Sequence, residues 1–227
     1  NSLGGREIKL EDSYLKQVAE KKGEVYCFNL SQVWNPFPVV AVCGYMPLRG
    51  KKRISLGVAC RHNYKEAIKK AYLEWLQGTV FAGYYSIYHP DLKFDNVSDL
   101  HDFDEHGVYY TIHPENWQNV PLIKKKRMVQ RIHSEKVISG DTEELLTHLL
   151  KKLKSENIRI FYKNLTLPDV QQIGIIVVRA ISPELSLIHG DERTPFLGGR
   201  TGDVKWRYPE ITKNDVKFPN IYPHPLG

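Results

Sequence analysis

Three places in the chain put chemistry-bearing side chains where packing alone does not ask for them. The first lies between Tyr64 and Phe81, where the spacing of apolar residues predicts a helix with Asn63 as its N-cap. On that helix Ile68, Tyr72, Trp75, Leu76 and Thr79 fall on one apolar face, while Asn63, Ala67, Ala71, Glu74 and Gly78 gather on another side with Gln77 nearby. A carboxylate thus sits amid small side chains, which let a second backbone or a bulky ligand come close. Glu74 and Gln77, one turn apart, offer oxygens of the kind a hard cation such as Mg²⁺ prefers. The alternative is that the Ala/Gly stripe packs against another helix and Glu74 is wet; spacing by itself favours that alternative.

The second place is Arg179, a guanidinium inside the apolar run GIIVVRAI. Residues Ile173–Ile181 are apolar enough to predict a strand buried on both faces. A charge there must be paired or must reach a cleft, and phosphate and a sheet-end carboxylate are both suitable partners. The third is the closing segment FPNIYPHPLG, where Pro219, Pro223 and Pro225 favour an extended, polyproline-like course. His224 within it belongs to the side-chain type that exchanges a proton near neutral pH. Taken alone, such a segment also reads as a disordered end. The other histidines show no metal-ligand spacing.

The elements that must position these groups follow from periodicity and turn chemistry. Asp12–Lys22 predicts a short amphipathic helix with Leu15, Val18 and Ala19 on one side, stopped by Gly23. Three strand-like runs follow, Glu24–Leu30, Pro38–Tyr45 and Arg53–Val58, separated by Asn35-Pro36 and by the turn residues Pro47–Gly50. Further helices are expected at Ser98–Val108 and at Thr142–Lys154, the latter with Leu145, Leu146, Leu149, Leu150 and Leu153 on a core-facing stripe. Asn157–Tyr162 is a β-rich run, and no regular element is read between His189 and Gly227. Helices mixed with neighbouring strands predict an α/β, more strictly a mixed α+β, fold with sheets covered by helices and an irregular Gly/Pro-rich C-terminal segment.

The chain has 227 residues, 41% hydrophobic and 26% charged, which describes a globular protein and excludes a collagen-like or disordered one. One domain of this length can bury a sizeable core. The longest nearly apolar stretch, Phe37–Met46, is half the ~20 residues a membrane helix needs. No membrane association is expected. Cys27, Cys43 and Cys60 fit neither a disulfide framework nor a zinc site, so a reducing cytoplasm is the expected location. The net charge of +6 and the run Lys124–Arg127 could meet phosphate backbones, but without an aromatic RNA-binding signature the run reads as a solvated face, and no nucleic-acid partner is expected. P-loop, dinucleotide-binding, zinc-protease, nucleophile-elbow and kinase motifs are all missing.

These three features, in this order, carry a family resemblance. The segment GVACRHNYKEAIKKAYLEWLQG resembles the second ATP-site segment of YcaO-domain proteins, a glycine-led strand followed by Ala-x-x-x-Ala-x-x-Glu-x-x-Gln, here Ala67, Ala71, Glu74 and Gln77. LTLPDVQQIGIIVVRAISPELSLIH, followed by LGGR, resembles the family's later stretch through Thr166, Pro168, Asp169, Val170, Gly174, Val178, Arg179 and Pro183. DFDEHGVYYTIHPENW and the closing PHPLG are similar to the SagD-type branch found in clusters that make thiazole- and oxazole-modified peptides. The likeness runs from about Glu24 to the end. The family's earlier S-x-x-x-E-x-x-E-R-like segment has no counterpart here, so the chain resembles the C-terminal half of a YcaO domain. The position two after Gln77, often Arg in the family, is Thr79, and the family's closing P-x-P-x-P is here Pro223, Pro225 and Gly227.

The resemblance implies an ATP- and Mg²⁺-dependent peptide cyclodehydratase. A Cys, Ser or Thr side chain of the substrate attacks the preceding carbonyl, the oxyanion takes the γ-phosphate of ATP, and phosphate leaves to give a thiazoline or oxazoline. Glu74 and Gln77 would hold Mg²⁺ and ATP, Arg179 would meet phosphate, and Pro223, His224, Pro225 and Gly227 would sit at the reacting amide. The implied partners are a ribosomal precursor peptide and a leader-peptide-binding protein, with a flavin dehydrogenase of the same complex and a second copy of the chain as further candidates. ATP-dependent thioamidation and a non-catalytic docking scaffold of the same synthetase are the alternatives.

Overall fold

The computed structural model describes residues 6–32, 34–120, 123, 139–200, 202–203 and 221–226. Lys124–Arg127, Pro219 and Gly227 lie outside the described residues. The first layer is a four-stranded antiparallel sheet in sequential order: β1 (Arg6–Ile8), β2 (Glu24–Asn29), β3 (Val39–Leu48) and β4 (Lys51–Cys60). Helix α1 (Asp12–Glu20) bridges β1 and β2 and buries Val18. The β3–β4 hairpin turns through Arg49 and Gly50, both at positive φ (50° and 75°). That two-residue geometry follows the right-handed twist of the strands.

Period-two alternation sends the sheet's side chains to two cores. Val40 and Val42 join Cys27, Ile8, Leu10 and Val18 beneath α1 and α2 (Tyr64–Tyr88), whereas Ala41, Cys43 and Phe28 face the opposite way toward Leu56, Val58 and Trp117. The Asn63 side chain accepts from the Glu66 backbone N–H at 2.9 Å, so the expected cap is present, and the helix runs past Phe81 to Tyr88. Ala67, Ala71, Tyr72, Trp75 and Thr79 are all buried. The small-residue stripe and part of the apolar face therefore share the buried side, and they pack on a sheet rather than on another helix. Gly57 of β4 makes this possible: a Cβ there would collide with the Ala71 carbonyl oxygen and the Trp75 backbone nitrogen.

The helix expected at Ser98–Val108 is split. A single 3₁₀ turn, Val97–Asp99, precedes α3 (Phe103–Ile112), because Asp102 restarts the helix by accepting from the Glu105 N–H at 2.9 Å. Helix α3 and the short α4 (Pro114–Trp117) build a second core of Leu100, Val108, Tyr109 and Tyr110 with Ile54 and Ala82. Thr111 closes the edge of β4, accepting from Ile54 N at 2.9 Å and donating to Ile54 O. Helix α5 (Thr142–Ser155) is where periodicity placed it, opened by a capping box between Asp141 and Glu144. Of its leucine stripe only Leu153 is buried; Leu146 and Leu150 are exposed.

Beyond it, β5 (Phe161–Asn164) and β6 (Val178–Ile181) form a two-stranded antiparallel ribbon connected through α6 (Pro168–Gln172). The expectation of a strand buried on both faces from Ile173 to Ile181 fails. The strand is four residues long, and Ile173, Ile175, Ile176, Val177, Val178 and Ile181 are all exposed. A two-stranded ribbon carries no second layer of its own to cover it. No helix or strand follows β6 among the described residues. Arg200, of the LGGR stretch, donates to the carbonyls of Glu156 and Asn157 at the C-terminal end of α5, where carbonyl groups lack helical partners. The whole is a mixed α+β fold, and among the described residues no helix is long and apolar enough to cross a membrane.

Candidate functional site

Glu74 projects from the flank of α2 that lies along β4. An ideal Cβ on Gly57 would stand 3.0 Å from the Glu74 Cβ, so helix and strand backbones meet beside this carboxylate. Glu74 is half-buried and makes no hydrogen bond or ion pair with the described residues; Gln77, one turn on, is exposed. Carboxylate and amide oxygens at the mouth of a tight helix–strand contact can supply part of the oxygen shell of a Mg²⁺ ion, whose remaining positions phosphate oxygens and water usually take. The donor types fit such a group.

Arg179 stands on β6 opposite Lys163 of β5. Its guanidinium is exposed and no carboxylate pairs with it among the described residues, so the sheet-end ion pair considered above is not formed. Two cations therefore lie at one level of the ribbon, an arrangement suited to an anion. No hydrogen bond or ion pair joins Arg179 to Glu74 or Gln77. The two groups sit on separate elements, α2 on the four-stranded sheet and β6 on the ribbon.

The tail is held by hydrogen bonds and ring contacts to α3 and to the loop around His189. Tyr110 of α3 donates its phenolic O–H to the Pro223 carbonyl at 2.8 Å, and His106, one turn earlier, places Nδ1 3.1 Å from the His224 carbonyl. A carbonyl only accepts, so the His106 proton is on Nδ1. His106 is fully buried, and its ring stacks on His224 with centroids 4.0 Å apart and planes 13° from parallel. His224 in turn donates from Nε2 to the His189 carbonyl at 2.6 Å and accepts the Leu226 N–H at Nδ1. Both its nitrogens are engaged. Burial pushes the His224 pKa below the ordinary histidine value, and the nearby His106 and His189 push the same way, outweighing the bond to the His189 carbonyl and the attraction of Glu192.

A loop closes the cluster from behind. Glu192 donates its backbone N–H to the Leu100 carbonyl at 3.0 Å, and its carboxylate lies 3.8 Å from His106 Nε2 and 3.4 Å from His189 Nε2. Burial holds the Tyr110 phenol well above its ordinary value, so it remains a donor. Among the described residues no group of three or more His, Cys, Asp or Glu is arranged to hold a metal ion. Reasoning from the sequence missed His106, Tyr110, His189 and Glu192. The i, i+4 spacing of His106 and Tyr110 was the one readable signal; the partner more than a hundred residues away was not.

A family model described as YcaO cyclodehydratase, ATP- and Mg²⁺-binding, matches residues 4–186. No curated protein matches by sequence. Among solved structures, a heterocyclase in complex with substrate and cofactor is similar over 97% of this chain and 28% of its own, with a TM-score of 0.63 and 16% identity. The E. coli microcin synthetase McbBCD complex contains a chain similar over 80% of this chain and 46% of its own, with a TM-score of 0.53 and 17% identity. The heterocyclase TruD matches over 96% of this chain and 29% of its own, at a TM-score of 0.53 and 14% identity. The chain therefore spans less than half the length of each of these structures, and the likeness is one of fold.

Proposed function

The chain belongs to the YcaO cyclodehydratase family, and we propose that it is the ATP-using component of a peptide cyclodehydratase. A backbone amide oxygen is a poor leaving group; phosphoryl transfer from ATP to the oxyanion formed by Cys, Ser or Thr attack turns it into phosphate, and a thiazoline or oxazoline results. The protein's part is positioning and charge neutralisation. In this reading Glu74 and Gln77 bind the Mg²⁺–ATP unit, Arg179 meets a phosphate oxygen, and the tail residues Pro223, His224 and Pro225 line the end of the site where the amide reacts. Because both nitrogens of His224 are engaged by backbone groups, its contribution is to hold the tail.

The observation that carries the reading is Glu74: a half-buried carboxylate on the family-matching helix, pressed against Gly57 and left without a protein partner among the described residues. Residues 1–227 act in this proposal as one domain equivalent to the C-terminal half of a YcaO domain, with the rest of the nucleotide site supplied from outside them. The partial coverage of the structural neighbours and the exposed ribbon support that view. The substrate would be a ribosomal precursor peptide presented by a leader-binding protein, in a SagD-type, bacteriocin-like pathway of the cytoplasm. The microcin synthetase neighbour is itself a complex, one form of which is seen with pro-MccB17 bound.

Isothermal calorimetry of Mg²⁺–ATP against the gene product carrying this chain, with peptide and partner present, tests the reading. Binding that Glu74→Ala weakens at least tenfold is the expected result. No binding by the unsubstituted protein under those conditions would overturn it in favour of a docking scaffold. Sulfide-dependent product in place of water loss would indicate thioamidation.

A further inference from the structure

Three segments distant in sequence converge on the tail: α3 through Phe103, His106 and Tyr110, the loop through His189 and Glu192, and Tyr222–Leu226 itself. The two α3 donors are one helical turn apart and engage consecutive carbonyls, Pro223 and His224, at 2.8 and 3.1 Å. Because proline has no N–H, an extended Pro-rich strand can be gripped through its carbonyls but hardly through its own donors. Two donors on a rigid helix fix both the height and the rotation of such a strand. The His106–His224 stack fixes the ring plane, and Phe103 lies against the far side of the cluster with its ring centroid 6.1 Å from that of His224. Gly190 lets the loop cross on Phe103, since a Cβ there would come within 3.3 Å of the ring. The loop in turn holds Glu192 behind His106.

We propose that His106 and Tyr110 are positioning residues of the cyclodehydration reaction, clamping the C-terminal tail in one register through the Pro223 and His224 carbonyls. Neither touches substrate; each acts through the tail. The inference rests on the function proposed above, because only in that reading does the tail reach the reacting amide. Glu192 and His189 back the clamp. The hydrogen bond from the His224 ring to the His189 carbonyl ties tail to loop.

The test uses the gene product with its precursor peptide and partner, and two readouts: amide hydrogen exchange at Leu226, and kcat with KM for ATP. Tyr110→Phe keeps the ring and removes only the hydroxyl, so it should fold. It is expected to lower Leu226 protection about tenfold, the scale of one buried hydrogen bond lost with its acceptor orphaned, and to lower kcat severalfold with KM for ATP unchanged. His106→Asn, which retains an N–H donor near the Nδ1 position, should preserve more protection and kcat than His106→Leu. Unchanged protection in Tyr110→Phe overturns the clamp. Lost protection with kcat unchanged overturns the positioning role while leaving the clamp standing. Absence of turnover by the unsubstituted complex overturns the proposed function and with it the positioning role, and the exchange data then report separately on the clamp.

Discussion

His224 donates to the His189 carbonyl and accepts from Leu226, an arrangement that only the neutral ring can make. Protonation would place an N–H where Leu226 already donates, and would put a charge into a buried site beside two other imidazoles. Burial accordingly holds its pKa below the ordinary value of 6.5. The sign of the linkage follows: when the tail is undocked the ring binds a proton more readily than when docked, so acid favours release. Docking is fully stabilised above the unperturbed value and is lost as pH falls through it toward the lowered one. Leu226 amide protection, followed from about pH 8 to about pH 5, is expected to fall on acidification; a rise would contradict the neutral tautomer. Cys27 is the inert counterpart. Its thiol is buried and burial pushes its pKa up to about 12, so it packs as a small apolar group and is expected to resist alkylation in the folded protein.

At the scale of elements, the contact between α2 and β4 decides where Glu74 stands. Gly57→Ala would drive a methyl into the Ala71 carbonyl and the Trp75 backbone, neither of which can swing away. A loss of about 2–3 kcal/mol in urea-unfolding stability is expected, at the upper end for overpacking, together, under the proposed function, with weaker ATP binding as the helix lifts. Asn63→Ala, at the N-terminus of the same helix, should cost about 1 kcal/mol through the lost cap and, under the proposed function, leave ATP binding unchanged. These elements were legible because their signals are local: alternation in β2 to β4, a cap and an apolar stripe in α2, a capping box in α5. The break before α3 was not, since Asp102 and Asp99 both suit a helix start and only the packing of Leu100 into the second core selects between them. Of the candidate site, Glu74, Gln77 and Arg179 were visible through spacing and family pattern. His106, Tyr110, His189 and Glu192 were not, because their meaning depends on contacts between segments far apart in the chain, 35 residues for His189 and His224 and more than a hundred for His106 and Tyr110.

For the whole molecule, the ribbon is where apolar composition and burial part company. The apolarity of Ile173–Ile181 predicts a covered strand, and in the fold nothing among the described residues covers it. Phe161, Tyr162, Leu165, Leu167, Ile176 and Ile181 are all exposed on or beside β5 and β6. Exposed apolar side chains gathered on a ribbon in this number ordinarily mark an interface, and two short strands without a third are marginal alone. If the surface is where the remainder of a YcaO domain packs, the 227-residue chain by itself should associate at micromolar concentration and bind an apolar dye. The double substitution Tyr162→Lys with Ile176→Lys should then reduce both, while the melting of the four-stranded sheet and α2 stays unchanged, because these side chains take no part in that core. Size-exclusion chromatography with light scattering measures the first effect and circular dichroism the second. A chain that is monomeric and dye-silent before substitution would mean that the ribbon is covered from within its own length, and the proposal that outside residues complete the nucleotide site would lose its structural support.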